Sequence, residues 1–362
     1  MNKNCNIDMH VVHDVPPCCA NRDEAGSPKT AVYGGVRRAR ISSQCWKRAM
    51  RERFAVMEPE CELGKRTKLL NKLVADAIRS RSPELDAEAL AENALTTAGI
   101  SFEDDKKKKN DKKTKALFFV SQSQIDALAD VVVQNVGKDL KKEECQAALN
   151  ALHSFDVALF GRMVAMKDGE NTLNCDAAAQ VAHAISTHEV ENECDYFTAI
   201  DDCASPDKVN AEHIGTTEFN SATFYRYATV NVNDLMEKLH ERTPAAVREF
   251  VEAFILSMPK GKINSFANNA LPSAVYVTIR HDQPINLVGA FEKPIYAGKD
   301  GYVEKSINAL ISHAKKVYND YLGEPDAAFA IGEGMEKLAP KMSLRELLDN
   351  VEQYVKMYGG IS

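Results

Sequence analysis

The beginning of the chain alternates between apolar and polar side chains. A period of two residues places successive side chains on opposite faces of a β-strand. One face would carry Cys5, Ile7, Met9 and Val11, and the other would carry Asn6, Asp8 and His10. The pattern predicts a half-buried strand, with one face in the core and one face in solvent.

A helical period begins near residue 42. Ser42 or Ser43 can cap a helix, because a serine hydroxyl accepts a hydrogen bond from a free N–H group of the first turn. Residues three, four and seven positions apart share one face of a helix. The spacing therefore predicts a basic and polar face of Gln44, Lys47, Arg48 and Arg51, and a separate apolar face of Trp46, Ala49 and Met50.

The remaining patterns predict a mixed α and β chain. Helical spacing covers residues 62–155 and 305–322, and residues 177–190 also read as a helix. Residues 223–232 and 275–279 are typical of strands. Ser343 and Glu346 form a capping box for a last helix that reaches about Met357. Strands at both ends of the chain, with a long helical insertion between them, are compatible with an α+β, ferredoxin-like sheet.

Length and composition fit a protein of two or three lobes. The chain has 362 residues, of which 44% are hydrophobic and 7% aromatic, so it can bury a sizeable core. Its nine cysteines are odd in number and contain no C-x-x-C pair, which indicates reduced thiols in a cytoplasmic protein without a metal or other cofactor. No apolar run approaches the ~20 residues of a membrane helix, so we expect no membrane partner.

The charge is distributed unevenly along the chain. The formal net charge is −7, yet residues 36–53 carry seven basic side chains against one acid, Glu52. One positive surface on an acidic body would direct a polyanion to a single groove. The alternative is an amphipathic surface helix with salt bridges. Because acids that could pair with these bases are scarce nearby in the sequence, the pattern favours phosphate binding.

Several motifs, in a fixed order, make a family resemblance visible. They are Asn21-Arg22-Asp23, Tyr33 to Gln44, Lys47 to Arg51, Asp156 to Met163, Gln180 to Glu189, Tyr196 to Ala199, His213 to Phe219 and Phe224 to Tyr227. Together they resemble the Cascade backbone subunit (CasC) of type I-E CRISPR systems. The resemblance covers nearly the whole chain and is weaker over residues 55–150 and over about the last sixty residues.

The resemblance implies a hand-shaped fold. An RRM/ferredoxin-like palm would consist of residues 1–60 and 181–362, and the helical fingers would be the insertion 61–180. A thumb hairpin would protrude at about residues 195–225. The chain contains no aromatic RNP1 motif, so we do not expect its sheet to bind RNA by stacking bases.

The implied function is that of a non-catalytic CRISPR RNA-binding backbone. Copies of the family polymerise head to tail along the guide RNA, and each thumb displaces a nucleotide of the guide. The intervening bases then pair with a complementary target DNA strand in antiviral defence. Further partners would be the other Cascade subunits: the large PAM-recognising subunit, the small subunit and the subunits that cap the guide ends.

Carried over to this sequence, the resemblance implies three sets of contact residues. The RNA-binding set is Arg22, Lys29, Arg37, Arg38, Arg40, Ser42, Gln44, Lys47, Arg48, Arg51, Arg162 and Met163. The thumb set is Phe197, Thr198, His213, Thr216, Thr217 and Phe219. A possible DNA contact involves Lys107, Lys108 and Lys112. The alternatives are a core position for Met163, packing roles for the phenylalanines, and a solvated surface loop for the lysine run.

The competing class is an enzyme. Candidate acid or metal-binding groups are His13-Asp14, Asp23 and Asp201-Asp202. Relatives of this backbone in type III systems cleave RNA through a loop aspartate, which would make Asp23 the key residue of a metal-dependent RNA endonuclease. No serine-hydrolase, zinc-protease or P-loop motif accompanies these groups. A third class, a protein-only assembly, would hold no nucleic acid.

Overall fold

The computed structural model describes residues 4–57, 63–103, 112–164, 172–199 and 213–361. The strands are β1 (Asn6–Cys18), β2 (Thr30–Tyr33), β3 (Val36–Ile41), β4 (Lys65–Thr67), β5 (Phe118–Val120), β6 (Ala179–Val181), β7 (Ala184–Ser186), β8 (Glu193–Ala199), β9 (His213–Asn231), β10 (Ala274–Arg280) and β11 (Ala327–Ile331). The helices are α1 (Ser43–Met57), α2 (Leu70–Arg81), α3 (Ala87–Thr97), α4 (Gln122–Gln134), α5 (Lys142–Asn150), α6 (Phe155–Phe160), α7 (Val232–Leu239), α8 (Thr243–Leu256), α9 (Ile263–Phe266), α10 (Val303–Val317) and α11 (Leu344–Gly359). The predicted α+β class is confirmed.

The main sheet has the strand order β11-β10-β1-β9-β7-β3-β2. Its four central strands occur along the chain as β1, β7, β9 and β10, with α1 after the first strand and α8 before the last. This is the βαββαβ succession of a ferredoxin-like unit, extended by β11 at one edge and by β3 and β2 at the other.

The chain forms two compact units. The first comprises residues 1–53, 181–229 and 247–357, and it contains the main sheet. The second comprises residues 54–180, 230–246 and 358–362. Its core is built from buried apolar residues of α2 to α5, for example Leu70, Val74, Leu95, Leu128 and Leu149. The helical prediction for residues 62–155 is confirmed for these helices, while the short strands β4 and β5 were not foreseen.

Both faces of β1 are buried, so the predicted solvent face is wrong. Asp8 accepts a hydrogen bond from the Tyr227 hydroxyl at 2.9 Å, and the His10 ring lies 2.8 Å from the Tyr225 hydroxyl. These tyrosines belong to a buried cluster that includes Ile307 and other residues of α10. The polar residues of β1 are therefore satisfied inside the protein, and α10 covers the face on which an RNA-recognition motif would stack bases.

The opposite face of the sheet holds a buried arginine. The Arg226 guanidinium carbon lies 3.7 Å from the centroid of the Trp46 ring of α1, and 4.7 Å from that of Phe254 of α8. Its Nη1 is 3.0 Å from Nδ1 of His13. Burial lowers the pKa of Arg226 to about 9 and that of His13 to about 3. A neutral His13 can therefore accept a hydrogen bond from the charged Arg226.

The predicted helix over residues 177–190 is wrong, because this segment contains β6 and β7. Ile185 of β7 pairs with Arg40 of β3 on one side and with Tyr225 of β9 on the other. The Ser186 hydroxyl accepts a hydrogen bond from the Ala39 amide at 3.0 Å. Pairing on both sides overrides the helical preference of the alanines in this segment.

The C-terminal helices agree with the sequence patterns. The amphipathic helix predicted over residues 305–322 is α10, which continues into a π-helical turn at Tyr318–Leu322. Ser343 and Glu346 form the predicted capping box before α11: the Ser343 amide lies 2.8 Å from the Glu346 carboxylate, and the Glu346 amide lies 3.3 Å from the Ser343 hydroxyl. In the part of the chain that is described, none of the helices has the length and apolar character needed to cross a bilayer.

Candidate nucleic-acid interface

The basic segment begins with a tight β-hairpin. Tyr33 of β2 pairs with Val36 of β3, and Gly34 and Gly35 form the two-residue turn with φ angles of 61° and 81°. Residues other than glycine rarely adopt such φ angles, which are typical of type I′ hairpin turns. A Cβ atom on Gly34 would also lie 1.7 Å from the carbonyl oxygen of Glu292. Gly34 therefore makes room for the protein's own backbone.

The arginines of β3 have different surroundings. Arg37 is exposed, and Arg40 is half-buried with its Nη1 3.0 Å from Nδ1 of His183. Arg38 is 0% exposed, and its guanidinium donates to the carbonyl oxygens of Ser186 and Phe291, each at 2.9 Å. Burial lowers the pKa of Arg38. The structure therefore removes Arg38 from the predicted RNA-binding set, because its guanidinium holds protein segments together.

A polar loop leads from β1 to this hairpin. The Asn21 carboxamide accepts from the Ser42 amide at 2.9 Å, and its carbonyl accepts from the Lys29 amide at 2.9 Å. Arg22 is exposed and Lys29 is half-buried. Asn21 thus joins the start of α1 to the loop that carries two predicted RNA-binding cations. Its motif was visible in the sequence, but its structural role was not.

The first turn of α1 is capped by Ser42. The Ser42 hydroxyl accepts a hydrogen bond from the Cys45 amide at 3.3 Å, and the residue is buried. The capping prediction is confirmed, and the same observation takes the Ser42 side chain out of the predicted RNA-binding set. Trp46, Ala49 and Met50 are buried, as the helical period predicts.

The opposite face of α1 carries the predicted cations. Gln44 and Arg48 are exposed, whereas Lys47 and Arg51 are half-buried. Arg48 forms an ion pair with Glu52 at 3.1 Å, and Lys260 approaches the same carboxylate at 3.3 Å. The salt-bridge alternative therefore holds for Arg48 and Glu52. Lys260 was missed, because only the tertiary structure brings it to α1.

A cavity of about 710 Å³ lies between α1, the loop after β1 and the segment after α8. Its charged lining residues are Arg22, Asp23, Glu24, Arg48, Glu52 and Lys260. The Asp23 carboxylate accepts a hydrogen bond from the Ser27 amide at 3.0 Å, so it closes its own turn. The lining of this cavity therefore combines three cations, Arg22, Arg48 and Lys260, with three carboxylates.

In the second unit, neighbouring residues Arg162 and Met163 behave in opposite ways. Arg162 is 4% exposed and donates to the carbonyl oxygens of Leu173 at 2.8 Å and Leu149 at 3.0 Å. Burial lowers its pKa to about 10. Arg162 is therefore also removed from the predicted RNA-binding set. Met163 is 87% exposed, so the core alternative for this residue is wrong.

The predicted thumb contains an antiparallel hairpin of β8 and β9. Phe197 pairs with Gly215 and Glu193 with Phe219. A Cβ atom on Gly215 would lie 2.3 Å from the Phe197 ring, so this glycine accommodates the aromatic side chain. The pairing places Phe197, Thr217 and Phe219 on one face of the hairpin.

The other face of the hairpin carries Thr198 and Thr216 together with Tyr196, which is 61% exposed. The exposed ring of Tyr196 was not among the predicted thumb residues. The strand period could have indicated it, because Tyr196 alternates with Phe197. His213 begins β9, and its side chain lies outside the described part of the structure.

Some of the remaining predicted residues lie outside the described ranges. These are Lys107, Lys108, Asp201 and Asp202. Lys112 is exposed and forms an ion pair with Glu92. Within the described ranges, no group of three or more His, Cys, Asp or Glu side chains is arranged to hold a metal ion. Asp14, of the His13-Asp14 candidate, accepts a hydrogen bond from the Thr223 hydroxyl at 2.8 Å.

The strand order of the sheet and the helical segment inserted between α1 and β7 define the class of this protein as an elaborated ferredoxin-like α+β protein. Within that class, the family model described as CT1975-like protein matches residues 7–356, so the chain belongs to this family. The resemblance to the Cascade backbone subunit that the motifs indicated is confirmed. A comparison with curated proteins gave no match.

Two solved structures are similar to the whole chain. One is titled "CRISPR RNA-guided surveillance complex, pre-nicking"; it is 30% identical with a TM-score of 0.84, and the match covers 97% of this chain and 100% of that chain. The other is titled "CRISPR RNA-guided surveillance complex"; it is 27% identical with a TM-score of 0.70, and the match covers 96% of this chain and 99% of that chain. Both similarities therefore extend over the two compact units.

Proposed function

We propose that the protein is a non-catalytic backbone subunit of a CRISPR RNA-guided surveillance complex. The observation that carries this proposal is the full-length similarity, at 30% identity and a TM-score of 0.84, to a chain of such a complex. Several copies would bind side by side along one guide RNA and leave its bases available for pairing with target DNA. Base pairing would then supply the sequence specificity.

The basic surface of the first unit would hold the guide. Exposed or half-buried cations on it are Arg22, Lys29, Arg37, Arg40, Lys47, Arg48 and Arg51. Phosphate contacts position a nucleic acid and carry no sequence information, which suits a protein that must accept any guide. Arg38 and Ser42 would support this surface from inside the first unit.

The exposed Met163 and the β8–β9 hairpin would displace a guide nucleotide at regular intervals. An apolar side chain that enters a base stack can interrupt it. Arg162 supports this role indirectly, because its carbonyl contacts fix the backbone next to Met163. Thr198, Thr216 and Phe197 would contribute from the hairpin of a neighbouring copy. We likewise propose that residues 1–60 and 181–362 form the palm, residues 61–180 the fingers and residues 195–225 the thumb.

Other partners follow from the same proposal. They are the complementary target DNA strand, other copies of this chain, and the large, small and guide-end-capping subunits of the complex. Lys107, Lys108 and Lys112 would add a nonspecific DNA contact from the second unit. The assembly would work in the cytoplasm.

Purification of the tagged protein from cells that express a CRISPR array tests the proposal. We expect a large particle that contains several copies of the protein and a short RNA of uniform length. Protein without RNA, or with RNA of random lengths, would show that the proposed function is wrong.

Incubation of the particle with labelled guide or target RNA and divalent metal tests the non-catalytic part. We expect no cleavage by the unsubstituted protein or by Asp23→Ala. Metal-dependent cleavage that is lost in Asp23→Ala would establish the endonuclease instead.

A further inference from the structure

A short segment between α8 and β10 contacts both elements that we propose to hold RNA. We call residues 259–267 the strap; it contains α9. The Lys262 ammonium donates to the Thr217 hydroxyl of β9 at 2.8 Å, and the Phe266 and Phe219 ring centroids are 5.8 Å apart. At its other end, Lys260 lies 3.3 Å from Glu52 of α1. Within the first unit, the strap therefore connects α1 to the base of the β8–β9 hairpin.

The backbone of the strap is held in place by its surroundings. A Cβ atom on Gly261 would lie 2.3 Å from the Ala20 carbonyl oxygen, so the strap lies directly on the chain that follows β1. Lys262 and Ala267 adopt φ angles of 48° and 47°. Residues with a Cβ atom adopt this left-handed conformation only when neighbouring contacts compensate for its cost. The backbone of the strap is thus a fixed support for the segments that it contacts, β9 and α1.

The contacts of the strap differ in strength. The Lys260 and Glu52 side chains are 69% and 39% exposed, and an ion pair in solvent contributes little. Lys262 is half-buried, and its hydrogen bond is charge-assisted. The Phe266 ring adds an aromatic contact to the half-buried Phe219. The support of the hairpin therefore rests on Lys262 and Phe266.

Thr217 and Phe219 share one face of the hairpin with Phe197, as the pairing of β8 with β9 shows. The strap contacts this face at Thr217 and Phe219, near its base. An isolated two-stranded hairpin is marginally stable in water, so a contact at the base has a large influence on its direction. The seven residues of β8 extend about 20 Å, and a rotation of about 10° at the base would move the far end by about 3.5 Å.

We propose that Lys262 is a positioning residue that fixes, through Thr217, the direction in which the hairpin leaves the sheet. It thereby sets the interval at which successive copies displace a guide nucleotide. The second statement rests on the proposed function, whereas the first concerns the protein alone. Lys262 acts through the hairpin and needs no contact with RNA of its own.

The variant Lys262→Met tests both statements. Methionine removes the donor and retains an unbranched side chain with a Cβ atom, so the backbone cost at this position is unchanged. In the RNA-free protein, we expect amide hydrogen exchange of residues 193–199 and 213–219 to rise about fivefold or more, with β1 and β10 unchanged. In the RNA-bound particle, we expect chemical probing of displaced nucleotides to lose its regular interval.

Three further variants make the test specific. Lys262→Arg retains a donor and should restore slow exchange and the regular interval. Thr217→Val removes the acceptor from the other side and should reproduce the effect, which keeps the test decisive if Lys262→Met does not fold. Lys260→Met changes an exposed lysine of the same strap, and hydrogen exchange of the hairpin in the RNA-free protein should match that of the unsubstituted protein.

The proposal is overturned if neither Lys262→Met nor Thr217→Val changes hairpin exchange, or if Lys260→Met changes it equally. If exchange rises and the displaced nucleotides keep their interval, the positioning statement stands and the interval statement is wrong. If the unsubstituted protein holds no RNA, the proposed function fails, and hydrogen exchange still decides the role of Lys262.

Discussion

Two neighbouring arginines on β3 have the same charge and opposite surroundings. Arg37 lies in solvent, whereas the Arg38 guanidinium donates to carbonyl oxygens of residues far away in the sequence. A buried arginine with several carbonyl partners stabilises the packing of the segments that supply them. Substitutions of Arg37 should therefore affect RNA binding, whereas substitutions of Arg38 should affect the stability of the protein.

We expect Arg38→Met to destabilise the protein by roughly 3 kcal/mol, because at least two buried carbonyl groups lose their donor. Thermal or urea unfolding measures this change. Arg37→Met should leave the unfolding midpoint nearly unchanged, since its side chain lies in solvent. Equal stability losses in the two variants would contradict the structural role of Arg38.

The same pair predicts a difference in RNA binding. Arg37→Gln should reduce the salt dependence of RNA affinity by roughly 0.7 in log–log slope, the value for one contact with single-stranded phosphate, and it should do so for all guide sequences. Arg345→Gln changes an exposed arginine at the start of α11 and is the matched control. An unchanged slope in Arg37→Gln would remove this residue from the interface.

Among the elements, the β2–β3 hairpin shows how backbone geometry limits the sequence. Gly34 and Gly35 both require positive φ angles, but only Gly34 is approached closely by another segment, at the Glu292 carbonyl. Apart from the residues adjacent to it in the chain, no described residue has an atom within 4 Å of a Cβ built on Gly35. A substitution at Gly35 therefore tests backbone strain alone, whereas a substitution at Gly34 tests strain together with a steric clash.

We expect Gly35→Ala to cost about 1 kcal/mol in the free energy of unfolding, because a side chain disfavours its left-handed conformation. Gly34→Ala should cost at least about 2 kcal/mol more, because the new methyl group displaces the chain at Glu292 as well. Chemical unfolding of both variants measures the difference. Equal losses in the free energy of unfolding would show that the backbone at Glu292 moves away from the new methyl group without loss of stability.

At the scale of the whole molecule, burial of titratable residues makes stability depend on pH. Burial lowers the pKa of His10 and His13 to about 3 from their ordinary value of 6.5. It raises the pKa of Asp8 to about 6 from 3.8. Lowered pKa values of bases and a raised pKa of an acid have opposite effects on stability as the pH falls.

We expect the protein to lose stability on acidification. The unfolded chain protonates His10 and His13 near pH 6.5 while the folded chain does not, so their contribution is complete above this pH and decreases below it. Asp8 opposes the loss, because its folded form takes up a proton near pH 6. These three groups together should give a net loss of about 2.5 kcal/mol between pH 7 and pH 5. His153, whose pKa burial lowers to about 4, should add to this loss.

His10→Gln identifies the source of this effect, because glutamine has no proton to gain over this range. The variant should show a smaller loss between pH 7 and pH 5 than the unsubstituted protein. A loss of unchanged size would assign the pH dependence to other groups.

The sequence alone determined the features that depend on local order along the chain. Periodicity located β1, α1, α10, β10 and α11, and the serines at α1 and α11 marked their caps. The concentration of bases in residues 36–53 identified the segment from which the candidate interface is built. Several motifs in order were sufficient to indicate the family.

Only the tertiary structure decided which of these residues face solvent. Arg38 and Arg162 look like phosphate ligands in the sequence, but each is surrounded by carbonyl groups from other segments. Residues 177–190 have a helical composition, and strand pairing on both sides makes part of them a strand. Burial and pairing arise between segments that are distant along the chain. A sequence pattern records the preferences of single segments and contains no information about their neighbours in space.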